Sequence, residues 1–155
     1  MEAESDQQQL KISVRGIVMY GGKLLCVRQK QYSDPSSPPN DFWNTPGGGL
    51  ERGESLQAGL AREMMEETGV AADIGNLLYI QQFRHNKREY LDFFFHVTNG
   101  KDFVFIDLDK TSHGAAEISD IGFIDVTELP VMPTFLVTTI PEFDADAPTK
   151  LFSYL

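Results

Sequence analysis

Between Pro46 and Val70 the chain passes through three consecutive glycines straight into a stretch with a helical period. That passage restricts the possible architecture more than any other segment. Gly47 to Gly49 can take backbone conformations that a residue with a Cβ reaches only at a cost, so the main chain there can turn tightly and offer its own amide or carbonyl groups. Ser55 to Thr68 is rich in helix formers, with Ser55 at the N-cap position and Gly69 where a left-handed stop belongs. Leu56, Leu60 and Met64, spaced by four, with Ala61 and Met65 beside them, predict an apolar stripe that seats this helix on a sheet. At about 100° per residue Glu63 and Glu67 lie one turn apart with Glu66 between adjacent rows, so three carboxylates share a separate face.

The rest of the chain reads mostly as strand. Lys11 to Tyr20 and Lys23 to Lys30 are aliphatic and β-branched around Gly21-Gly22, which predicts a hairpin. Ile74 to Arg84 and Glu89 to Thr98 predict two more strands joined at Asn86-Lys87, and Ile121 to Val126 a further short one. Gln31 to Asp41 concentrates Pro, Ser, Asp and Asn and predicts an exposed loop, either a plain connection or a cover for a ligand. Four prolines punctuate the tail from Thr127, which allows a helical turn or two and no long helix. Residues 1–10 are expected to be a flexible start and 11–155 one domain, since 155 residues with 41% hydrophobic content suffice for a single core.

Charge narrows the function. A net charge of -10 repels a nucleic-acid backbone, so no nucleic-acid polymer is expected as partner. It also repels a small phosphate-bearing ligand, unless a divalent cation stands between protein carboxylates and phosphate. Like charges one turn apart destabilise an isolated helix by roughly 0.2–0.5 kcal/mol per pair. Only Arg62 and Arg52 are near enough to offset Glu51, Glu54, Glu63, Glu66 and Glu67, so the cluster calls for a cation. Oxygen ligands without His or Cys suit Mg²⁺, with Mn²⁺ as substitute, rather than Zn²⁺. The lone Cys26 sits in an apolar run, where a buried thiol is expected and no internal disulfide can form. No apolar stretch is long enough for a membrane span and the start does not read as a secretion signal, so a cytoplasmic location is expected.

Gly48, five residues, Glu54, seven residues, Arg62-Glu63-Met64, one residue, Glu66-Glu67, one residue and Gly69-Val70 together resemble the complete signature of the Nudix hydrolases, with no position missing. The resemblance implies an α/β (α+β) fold, an α/β/α sandwich around a mixed sheet. It implies Mg²⁺-dependent hydrolysis of a pyrophosphate bond in a nucleoside diphosphate linked to another moiety. In such enzymes Glu66 and Glu67 would be the main metal ligands, helped by the Gly47 carbonyl. Glu63 would be a ligand or the base, oriented by Arg62, while Glu54 would act through water or as a structural ion pair. Glu117 is the candidate for a further carboxylate outside the signature, with Asp120 as alternative. His113 is expected to be an exposed loop residue. Arg28 resembles basic residues that reach substrate phosphates in some members.

The substrate is read by strands and loops outside the signature. No proline stands in Ala71 to Asn86 where many ADP-ribose hydrolases carry one, and the single-domain layout looks most like MutT-type nucleoside triphosphate pyrophosphohydrolases. Trp43, Phe83, Tyr90 or Phe94 would then offer an aromatic surface to the base, or else pack in the core. The alternatives are an ADP-ribose or ADP-sugar pyrophosphatase and a nucleotide-sensing module that binds without cleaving. The expected partner in each case is a nucleotide-type small molecule, bound by a monomer or homodimer.

Overall fold

A computed structural model describes residues 9–31, 36 and 38–155. The flexible start and most of the Pro- and Ser-rich loop expected from the sequence lie outside the described residues. The elements follow as β1 (Leu10–Tyr20), β2 (Lys23–Gln29), β3 (Trp43–Asn44), β4 (Gly47–Gly49), α1 (Leu56–Thr68), β5 (Ile74–His85), β6 (Arg88–Val97), α2 (Gly114–Glu117), β7 (Ile118–Ile124), β8 (Val131–Met132), α3 (Leu136–Thr139) and β9 (Lys150–Tyr154). They form one mixed sheet in the order β8-β3-β2-β1-β6-β5-β9, with β4 also paired to β1 and β7 to β2.

The N-terminal hairpin differs from the long one expected. Gly21 and Gly22 make the turn at φ 58° and 76°, as hairpin turns require. Yet β1 and β2 pair only at Met19↔Leu24 and Tyr20↔Lys23. Below that corner β1 pairs parallel with β6 from Leu10↔Glu89 to Val18↔Val97, and antiparallel with the glycine strand β4 at Ser13 to Arg15. β2 turns instead to β7 and β3. The two halves of the sheet are thus joined at one corner, and elsewhere each half satisfies its backbone groups on strands of its own.

The second hairpin turns at Asn86 and Lys87, both with positive φ, which closes β5 on β6. Alternation along β1 sorts its side chains: Val14 and Val18 go to one face, Ile17 to the other. On the first face they meet Leu60 and Met64 of α1, with Leu25 and Phe95. On the second, Ile17, Leu24, Cys26, Tyr79 and Phe94 meet Phe135, Leu136 and Ile140 from the α3 region. Helix, sheet and helix form three layers, the sandwich expected. Cys26 is fully buried.

In α1 the Ser55 hydroxyl accepts from the Ala58 amide at 3.1 Å, and Gly69 at φ 72° donates back to the Met65 carbonyl, so both ends are capped as their residue types predict. The apolar stripe is narrower than expected: Leu60 and Met64 are fully buried, but Met65 is 46% exposed. One residue beyond Met64 is a rotation of about 100°, which carries Met65 off the seam. No helix among the described residues is long and apolar enough to cross a membrane.

Candidate active site

Where the sheet halves part, a cavity of about 370 Å³ opens between β1, β4, α1 and β6, and Glu63, Glu67, Glu117 and the three glycines line it. Helical spacing alone puts Glu63 and Glu67 on one face of α1. Packing of that helix against β4 then drives Glu67 inward, leaving it only 3% exposed. Its Oε2 accepts from the Gly47 amide at 3.1 Å, so the glycine strand contributes an N–H rather than a bare turn. Burial pushes the Glu67 carboxyl up to about 8. The Gly47 hydrogen bond and the charge of Arg15 oppose the rise, while the charges of Glu63 and Glu117 add to it. Three carboxylates from two separated segments therefore act on one another.

Gly48 is where Glu63 comes to rest. A Cβ built on Gly48 would stand 2.7 Å from all three carboxyl atoms of Glu63, so only a glycine leaves that carboxylate its place. Arg62 Nη1 donates to Glu63 Oε1 at 3.1 Å and fixes its other side. Burial still raises the Glu63 carboxyl, the first and largest influence, against the lowering effect of Arg62.

Arg62 is more than an orienter of Glu63. Its guanidinium donates to both oxygens of Glu54, at 2.7 and 3.1 Å, to the Gly49 carbonyl at 3.1 Å and to Glu66 at 3.2 Å. The paired contact lowers the Glu54 carboxyl from its ordinary value, and Glu54 stands as an ion-pair partner of Arg62. Glu66 also meets His113 Nδ1 at 3.2 Å and does not line the cavity. In this arrangement the Glu66 carboxylate is shared between the Arg62 guanidinium and the His113 ring. His113 is half-exposed, as expected of a loop residue, yet its amide and the Ser112 hydroxyl both donate to the Glu66 carbonyl. These bonds pin the segment leading to Glu117 against the end of α1.

Among the described residues no three acidic, His or Cys side chains converge tightly enough to enclose an ion unaided. The donor set nevertheless fits a hard divalent cation. A buried carboxylate flanked by two more acid groups and backed by a single amide has oxygen capacity left and a charge that burial penalises. The Gly47 carbonyl accepts from Arg15 Nη1 at 3.3 Å, which leaves its second lone pair for another partner.

The other sequence candidates separate. Phe83 lines the cavity and stacks on Tyr90, their ring centres 4.7 Å apart and 7° from parallel. Arg28 does not line it: Nε donates to Asp120 at 3.2 Å, and the guanidinium lies 5.7 Å above the Trp43 ring. Asp120 is held there with it, away from the carboxylates, and Trp43 packs half-buried against the core. In place of Arg28 the structure brings Lys11 and Arg15 to the cavity. They carried a signal that a hairpin reading passes over: Lys11, Ser13 and Arg15 put a polar residue at every second position of an aliphatic strand. The face of β1 that takes Ile17 into the core takes those three into the cavity. Asp92 on β6 is bonded to Ser13 and Gln81 and stands among the aromatic residues of that strand.

The chain resembles known proteins in sequence and in fold. A MutT-like protein of Streptomyces ambofaciens is 37% identical over 67 residues, 43% of this chain and 38% of its own length. Diphosphoinositol polyphosphate phosphohydrolase 2 of Rattus norvegicus is 36% identical over 78 residues, covering 48% of this chain and 42% of its own length. The chain thus spans less than half of either relative. The crystal structure of the MutT protein from Methanosarcina mazei Go1 superposes with a TM-score of 0.66 at 21% identity, over 88% of this chain and 93% of that one, which shows a shared fold. The family model described as NUDIX domain matches residues 10–145, spanning both halves of the sheet, the glycine strand and the acidic helix, and the chain accordingly belongs to the NUDIX family.

Proposed function

We propose that the protein is a Mg²⁺-dependent, MutT-like pyrophosphohydrolase whose substrate is a nucleoside triphosphate. The observation that carries this reading is the meeting of Glu63, Glu67 and Glu117 on one cavity that also presents Lys11 and Arg15. Anionic and cationic groups on one small cavity suit a ligand that arrives with both phosphate and metal. Glu63, Glu66 and Glu67 would hold the ion, with Mn²⁺ as substitute and the Gly47 carbonyl as a further donor. When bound, the metal neutralises phosphate oxygens and lowers the pKa of water beside it.

The remaining work falls to the chain itself. Lys11 and Arg15 bind the phosphate oxygens that the carboxylates would otherwise repel. Arg62 keeps Glu63 in one orientation, and the glycine strand leaves room for substrate to approach. Glu117 serves as general base, taking a proton from water as that oxygen attacks phosphorus and the bond to the leaving phosphate group breaks. Glu117 sits on α2 just before β7, clamped to α1 through Ser112 and His113, so its backbone is fixed relative to Glu67.

The test is a panel of nucleoside triphosphates, oxidised nucleotides, ADP-sugars and dinucleoside polyphosphates, each with Mg²⁺ and with products identified by mass. A nucleoside triphosphate should give monophosphate and pyrophosphate, and Glu67→Gln should abolish turnover. Tight binding by calorimetry without product from any member of the panel would replace the enzyme with the sensing module.

A further inference from the structure

A second cavity, of about 450 Å³, adjoins the first and shares Arg15, Phe83 and Asp92 with it. One wall comes from β9, the strand that nothing in the sequence announced. It lies parallel to β5 with Phe83 opposite Tyr154, while on its other side β5 sets Phe83 opposite Tyr90. Tyr90, Phe83 and Tyr154 therefore stand in one row across three strands. The first two border the carboxylate cavity, and the last two border its neighbour.

Two polar residues at the end of β3 sit beside this second cavity. Thr45 is 1% exposed, and its buried Oγ1 has no hydrogen-bond partner; the buried Asn44 Oδ1 has none either. Both residues line the cavity. Aromatic and apolar side chains, Phe83, Phe94, Met132 and Pro133 with Tyr154, make up much of the remaining lining, and a space of that kind suits a flat ring.

We propose that Tyr154 is a specificity-determining residue, packing against the heterocycle of the nucleotide substrate. This inference rests on the function proposed above and adds to it the residue and the strand that select the base. Tyr154 is about half exposed, so it can shed water onto a ring without leaving the core short of a side chain. Its backbone pairing with β5 does not depend on its side chain.

The test compares wild type, Tyr154→Ala and Tyr154→Phe with the nucleoside triphosphate that the panel identifies. Loss of one aromatic stacking partner should raise KM about tenfold or more in Tyr154→Ala with kcat little changed, and Tyr154→Phe should restore it. The inhibition constant of inorganic tripolyphosphate, which has the charge and no ring, should be the same in all three. An unchanged KM in Tyr154→Ala overturns the inference. So does a loss that tripolyphosphate binding or thermal stability shares in proportion, because that pattern belongs to a merely structural strand. If wild type itself turns over no nucleotide, the proposed function has failed rather than the role of Tyr154.

Discussion

The two neighbouring glycines of β4 should fail in opposite ways when each is given a methyl group. At Gly48 the three atoms nearest the added Cβ all belong to the carboxylate of Glu63, at 2.7 Å, and ordinary contact begins near 3.4 Å. The carboxylate must retreat by about 0.7 Å, the difference between those distances, and it is the free end of a flexible side chain. Gly48 has no positive φ, so the backbone accepts alanine. The folding cost should stay near ~1 kcal/mol, a Tm drop of roughly 2–4 °C for a chain of this size. Turnover should suffer far more, because a displacement approaching 1 Å in a catalytic constellation can cost ~100-fold. At Gly47 the same methyl would stand 2.0 Å from the Val14 carbonyl oxygen and 2.9 Å from Arg15 Cα, with φ at +137°. Backbone cannot swing aside, so Gly47→Ala should lose its cooperative melt. The assay pairs calorimetric melting with Mg²⁺-supported release of pyrophosphate. If Gly48→Ala melts like wild type and also turns over like wild type, the placement of the Glu63 carboxylate against β4 has no part in catalysis.

Glu67 should govern the pH dependence of the metal-free protein. Its folded pKa stands above the ordinary 4.5, near 8, so its contribution is fully present below about pH 4.5 and is lost as pH rises through 8. In EDTA the wild-type Tm should therefore fall between pH 5.5 and 8.5 while Glu67→Gln stays flatter, and Mg²⁺ should recover the wild type at the alkaline end; parallel curves for the two proteins would remove the assignment. Cys26, whose thiol burial pushes up to about 12, should be inert to a disulfide reagent at pH 8 in the native state and react once per chain after denaturation. Reaction at the rate of a free thiol would mean that the strand pair around it opens readily. Thr45→Val removes a buried hydroxyl that lacks a partner, so it should raise Tm by roughly 2–4 °C. A lower Tm would mean that the hydroxyl is satisfied in solution.

The parts of this protein that were readable in the chain are those decided locally. The cap at Ser55, the stop at Gly69, the positive-φ turn at Asn86-Lys87 and the acidic face of α1 each follow from residue types within one or two turns. What was misread depends on which distant strand wins a partner. β1 carries the pattern of a hairpin arm, and only β6 and β4, arriving tens of residues later, draw most of it away from β2. Because the site opens where β1 and β2 part, residue types within one strand do not single out Lys11 and Arg15 over Arg28. Arg28 follows the same strand pattern, but its β7 neighbour Asp120 stands opposite it in the ladder and captures it. β9 escaped notice for a different reason: its five residues hold little alternation and follow a run of prolines and aspartates, so parallel pairing with β5 defines them as a strand.

Arg62 changes what the acidic cluster says about metal. Five glutamates around one helix look, as a sequence, like a single demand for a cation. In the fold that demand divides. Glu51, Glu54 and Glu66 all lie within 4 Å of the Arg62 guanidinium, so that part of the cluster is neutralised from inside the chain and can persist without an ion. Glu67 has no such partner: one amide and a more distant Arg15 oppose its burial, and two further carboxylates work against it. Glu63 belongs to both groups, touching Arg62 on one side and the cavity on the other. The excess charge that a divalent ion would relieve is thereby concentrated at the buried end of the helix, next to the glycine strand and Glu117. An arginine that satisfies the outer acids leaves the inner ones wanting, and a cation would gain most beside Glu67, on the cavity that Lys11 and Arg15 also line.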